Sequence, residues 1–89
     1  MYLAKVVGVV VATTKNEKLI GKKILIVEAI STDYTPLGTR EVAIDSVGAG
    51  NGEIVLVTSG SSASKVFDIE DTPIDRAIVA IIDSIDVSK

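Results

Sequence analysis

Residues 45–63 read DSVGAGNGEIVLVTSGSSA, and the way the chain leaves its closely spaced glycines decides the fold. A phosphate-binding loop gathers backbone N–H groups around an anion, with a helix N-terminus behind them. Here Gly48, Gly50 and Gly52 are followed by Glu53, Ile54, Val55, Leu56 and Val57, a β-branched run that predicts a strand. The spacing G-A-G-N-G fits neither the dinucleotide fingerprint nor the lysine-bearing P-loop. The glycines read as a turn between strands, not as a nucleotide site.

Working outward, five β-rich segments emerge, at residues 3–13, 23–30, 41–47, 53–58 and 77–87. Turn-prone residues separate them: 14–21, then 31–39 with Pro36 and Gly38, then the glycine loop at 48–52. Between the last two strands, residues 61–65 predict one helical turn. Thr72 and Pro73 predict a second helix start, as N-cap and first helical residue. The 89 residues make one domain, 1–89, with a small core. Short strands with few helical residues give an all-β chain, a small five-stranded barrel with one or two short helical turns.

The strands are apolar on both faces. A strand covering a single core alternates apolar with polar. By simple alternation, Val6 and Val10 share one face of the first strand, while Val7, Val9 and Val11 share the other. In the fourth strand Ile54 and Leu56 oppose Val55 and Val57, and in the fifth Ile78, Ala80 and Ile82 oppose Val79 and Ile81. A barrel has one inside, and the chain has no long helix to cover the second faces. Large exposed apolar patches mark interfaces, so the surplus predicts a cyclic homo-oligomer.

Composition removes most chemistry. There is no histidine and no cysteine, hence no usual general base, no thiol nucleophile and none of the commonest metal ligands. Asp83 and Asp86, three apart on an expected strand, point to opposite faces and form no acid–base pair. Asp68, Glu70 and Asp71 form an acidic loop without calcium-loop spacing. The serines have no base beside them, and a Ser–Lys pairing with Lys65 lacks a supporting motif. The expectation is no enzyme, no catalytic residue, no metal and no cofactor. A net charge of −3 and a pI near 4.7 argue against nucleic acid or an anionic membrane as partner. The longest apolar runs, 6–12 and 77–82, fall short of a membrane span. The N-terminal MYLAKVVGVVVATT reads as the first strand and not as a secretory leader. The competing reading is an OB-like module for single-stranded nucleic acid or a small ligand. Lys15, Lys18, Lys22 and Lys23 form a positive cluster, but Glu17 interrupts it and Tyr2, Tyr34 and Phe67 lie elsewhere.

Four segments in order, LAKVVGVVVAT, LIGKKILIVE, EVAIDSVGAGNGEIVLVTSGSSA and PIDRAIVAIIDSIDV, span nearly the whole chain. Together they resemble the bacterial microcompartment vertex family, the shell pentamer proteins of carboxysomes and of ethanolamine- and propanediol-type metabolosomes. The resemblance implies an OB-like barrel assembling as a homopentamer, in a cytoplasmic microcompartment shell, beside hexameric shell proteins. It also implies that Gly48, Ala49 and Gly50, with Ser59, Gly60, Ser61, Ser62 and Ala63, lie at subunit contacts or near a central pore. Many relatives continue the serine segment as GSSAR, where this chain has GSSAS at 60–64 followed by Lys65. A lysine does not reproduce an arginine's bidentate fork, which puts the carry-over at Ser64 in question.

Overall fold

The structure, a computed structural model, describes residues 1–13, 15–67 and 74–88. Its strands are β1 (Tyr2–Val10), β2 (Ile24–Ile30), β3 (Pro36–Asp45), β4 (Ile54–Ser59) and β5 (Arg76–Ile81). One helix, α1 (Ser61–Lys65), falls where the sequence predicts a turn of helix. A single 3₁₀ turn, Glu17–Leu19, follows Asn16, whose side chain accepts from the Lys18 N–H at 2.9 Å. The strands close into a barrel in the order β1-β2-β3-β5-β4. Every pairing is antiparallel except β3 with β5, which is parallel and joins only Ile44 to Ala77 and Asp45 to Ile78.

Two strand boundaries differ from expectation by more than three residues. β3 starts at Pro36, inside the stretch that reads as turn. Proline is tolerated at a strand's first residue, where the ladder needs no donor. Gly38, at φ +83°, sits opposite the register irregularity between Glu28 and Ile30. The turn itself is therefore short. Tyr34 donates its N–H to the Ser31 carbonyl at 3.0 Å, and the Asp33 carboxylate accepts from the Thr35 N–H at 3.1 Å and from the Ser31 hydroxyl. At the other end, β5 stops at Ile81 instead of 87, so Asp83 and Asp86 lie beyond the sheet. The alternation that separates those two carboxylates thus does not apply. The second helix start at Thr72 and Pro73, and Asp68, Glu70 and Asp71, lie outside the described residues.

The two-sided strands have a partly internal explanation. Inside the barrel, Ala4, Val6, Leu25, Val27, Val55, Val57 and Ile78 pack together, each 1% exposed or less. Full burial of a Val or Leu side chain contributes about 1.5–3 kcal/mol. Outside it, Ile24, Ile44 and Ala77 form a second cluster under Ala63 of α1 and Ile74, with Val10, Leu19 and Phe67 against it. A short helix thus covers one part of the outer face, contrary to the expectation that nothing in the chain could.

Bulges finish the sorting. Val6 pairs with Val27 but Gly8 with Ile26, so an extra residue at Val7 shifts the pattern. Val6 then faces the core while Val10 joins the outer cluster, and simple alternation across β1 fails. A second irregularity, between Leu56 and Val57, makes Val79 the extra residue in β5. Even so, Val9, Val11, Leu37 and Val42 remain between 51% and 90% exposed.

Candidate functional site

The glycine loop does cradle an anion, and the anion belongs to the protein. Asp45 ends β3 with its side chain only 4% exposed. Its carboxylate accepts from the N–H groups of Val47 at 3.2 Å, Gly48 at 2.9 Å and Ala49 at 3.0 Å. The Lys23 ammonium stands 3.9 Å away. A short acidic side chain readily captures the N–H groups two to four residues ahead of it. Successive N–H groups turned inward make a concave nest for negative charge, and here Asp45 fills it. One step on, the Gly50 N–H donates to Glu53 Oε1 at 2.6 Å. The Gly52 N–H donates to the Val6 carbonyl at 2.8 Å, tying the loop to β1. The donors that a phosphate would need are in use.

Each glycine has its own reason. Gly48 and Gly52 have φ of +81° and +87°, a region open to glycine at no steric cost. Gly50 has no such φ, but a Cβ there would stand 3.3 Å from the Glu53 carboxylate. Between them Ala49 is fully buried and closes this end of the barrel as part of the inner core.

The serine segment sits differently. Ser59 ends β4, and Gly60 turns the chain at φ +70° while its N–H donates to the Asp75 carbonyl at 2.8 Å. The Ala63 N–H returns to the Gly60 carbonyl at 3.1 Å, and Ser64 Oγ donates to the Ser61 carbonyl at 2.9 Å. Ser61 and Ser62 are exposed, whereas Ala63 is fully buried in the outer cluster. Ala49 and Ala63 therefore lie on opposite sides of the barrel wall. A shallow open groove beside the glycine loop is lined by Gly48, Lys22, Lys23, Val66 and Phe67, and none of residues 59–64 lines it. Lys22 holds its ammonium 5.6 Å from the Phe67 ring centre, so this aromatic already stacks against a cation of its own chain.

The opposite end of the barrel carries a polar cluster that sequence reasoning missed. The Tyr2 hydroxyl donates to Glu41 Oε2 at 2.7 Å, and the Arg76 Nε donates to the same oxygen. Arg76 also pairs with Asp75 at 3.1 Å. Partial burial, then the Glu41 carboxylate beside it, pushes the Tyr2 phenol up to about 12. The Tyr2 hydrogen bond, reinforced by Arg76, holds Glu41 below the usual carboxylate range. Tyr2 and Arg76 lie 39 and 35 positions from Glu41, and the three carry no local motif. The only signal is their parity, since Glu41 pairs with inward-facing Val27 and Tyr2 with inward-facing Val57. The cluster latches β1, β3 and β5 together and presents no nucleophile–base pair. Among the described residues no group of three or more acidic side chains could hold a metal ion. No helix there is long and apolar enough to cross a membrane.

Residues 1–83 match the family described as ethanolamine utilisation protein EutN/carboxysome. The chain belongs to the EutN/CcmL family. It is 48% identical over 86 residues to the bacterial microcompartment shell vertex protein GrpN of Rhodospirillum rubrum, covering 97% of each chain. It is 49% identical over 89 residues to the shell vertex protein PduN of Salmonella typhimurium, covering 96% of this chain and 98% of that one. The solved structure of the pentameric shell protein GrpN superposes with a TM-score of 0.90 at 46% identity, over 99% of this chain and 100% of the other. The barrel is thus shared with EutN/CcmL relatives that are named shell vertex proteins.

Proposed function

We propose that this chain is a structural subunit of a bacterial microcompartment shell in the cytoplasm, forming a homopentamer that closes a vertex beside hexameric shell proteins. The observation that carries the reading is the set of apolar side chains that the barrel leaves exposed. The interior is filled, α1 covers one patch, and Val9, Val11, Leu37 and Val42 still stand in solvent. So many branched side chains on a domain this small call for neighbours, and the relatives' names supply their number. The whole span 1–89 acts as one vertex domain in this reading, without catalysis or cofactor. Gly48 and Gly50, with Ser59, Gly60, Ser61 and Ser62, line subunit contacts or the rim of the central opening, backed from within the chain by fully buried Ala49 and Ala63. Six of the eight are glycine or exposed serine, which let backbones approach closely. Native mass spectrometry of the purified protein is the test. A mass of five chains is expected, and a monomer or hexamer would sink the vertex reading.

A further inference from the structure

Two β-forming segments lack a partner, and they sit at opposite ends of the molecule. The first is an edge. β3 has β2 along one side, but along the other β5 reaches it only at Ile44 and Asp45. Residues 36–43 have no strand on that side among the described residues. They include exposed Leu37 and Val42; Pro36 and the irregularity at Gly38 blunt the start of this edge, but among the described residues nothing covers the rest of it. The second is the tail after β5. Residues 77–87 read as one strand in sequence, yet the strand stops at Ile81 and the Ile82 N–H makes a last bond to the Ile54 carbonyl at 2.8 Å. No hydrogen bond joins residues 83–88 to the described remainder of the chain.

The tail cannot satisfy the edge of its own chain. β5 runs parallel to β3, begins beside the last two residues of β3 and continues past them. Residues 36–43 lie behind that point and the tail lies ahead of it. At roughly 3.3 Å per strand residue, doubling back past the end of β3 uses most of the tail's length and leaves too few residues to pair along 36–43. A second copy placed head to tail has no such difficulty. The forward end of one barrel then meets the rear edge of the next, and repetition of that heterologous contact closes a ring. The chemistry of the two segments is complementary. The tail offers Ile85 and Val87 with the carboxylates Asp83 and Asp86, and the edge offers Leu37 and Val42 with Arg40, which pairs with Glu28 at 3.7 Å yet stays 65% exposed.

We infer that residues 82–88 of one copy add as an extra strand to the 36–43 edge of β3 in the next copy. The inference rests on the ring reading and specifies how the ring is joined. Because the chain has no cysteine, engineered pairs report contact without background. In the double variant Thr39→Cys with Ile85→Cys, oxidation should give a non-reducing gel ladder up to five chains, while each single variant stays uncross-linked. Moving the first cysteine to Leu37 or Val42 covers a shift in register. Deleting residues 83–89 should lower the mass measured by native mass spectrometry from the ring to the single chain, with the barrel's circular dichroism unchanged. A ring that survives the deletion, or five chains by mass with no ladder from any pair, would overturn the strand addition and leave the ring standing. A single-chain mass for the unmodified protein would remove the ring itself.

Discussion

The two ends of the barrel are closed by different means. At one end a single carboxylate, Asp45, gathers three backbone N–H groups from the residues that follow it. At the other, Tyr2, Glu41 and Arg76 meet through side chains brought in from three strands. The first closure is local and needs no assembled barrel, only a turn. The second exists only after β1, β3 and β5 are in place. One end therefore depends on backbone geometry and the other on charge state, and substitutions should separate them.

The largest effect is expected at Asp45. Asp45→Ala leaves three N–H groups without their acceptor, and one of them belongs to a fully buried residue. Hydrogen bonds to charged groups contribute about 1.5–3 kcal/mol each, and their losses at one site overlap. A drop of about 3 kcal/mol in the unfolding free energy, measured with urea, is expected. A change below about 1 kcal/mol would show that the cage is ornamental.

Within the same loop, Gly48→Ala and Gly50→Ala should differ. At Gly48 a side chain must adopt φ +81°, which costs about 1–2 kcal/mol. At Gly50 the obstacle is the end of a flexible side chain, and Glu53 need give only a few tenths of an ångström, keeping its bond to the Gly50 N–H, so a loss under about 1 kcal/mol is expected. Equal losses would refute the distinction between the two glycines.

The change that most sharpens the contrast is Tyr2→Phe, modest at neutral pH. It removes one hydrogen bond, about 1 kcal/mol. The folded-state phenol is raised to about 12 from 10.0, so its contribution is whole below pH 10 and is lost as pH rises through 12. Glu41 is depressed from 4.5, so its contribution is present above that value and is lost as pH falls through the lower folded value. Stability curves against pH should therefore show an alkaline loss between 10 and 12 that Tyr2→Phe abolishes and Gly48→Ala leaves intact. An alkaline loss that persists in Tyr2→Phe would place its origin elsewhere.

The same contrast explains what could be read in advance. Strand number, the helical turn at 61–65 and the turning role of the glycines follow from residues close in sequence. The bulges at Val7 and Val79 do not, because an extra residue is fixed by pairing with a distant strand. Their effect is to move Val6 and Val10 to different faces, which no alternation count could anticipate. Pro36 and Gly38 read as a turn because both break regular ladders, yet on a strand with one free side they are tolerated. The Tyr2–Glu41–Arg76 cluster was invisible for the same reason as the bulges. The vertex family was legible throughout, since its segments are contiguous.

The filled interior bears on traffic across a shell. Valine, leucine and isoleucine side chains occupy the bore from end to end, Ala49 stops one mouth and the tyrosine–carboxylate–guanidinium cluster stops the other. Nothing the size of a metabolite can thread a single subunit. Whatever permeability a corner made of this protein possesses must arise in the gaps between copies. Its selectivity would then be written on the outer surface of the barrel, and variants inside the bore would change stability without changing what passes.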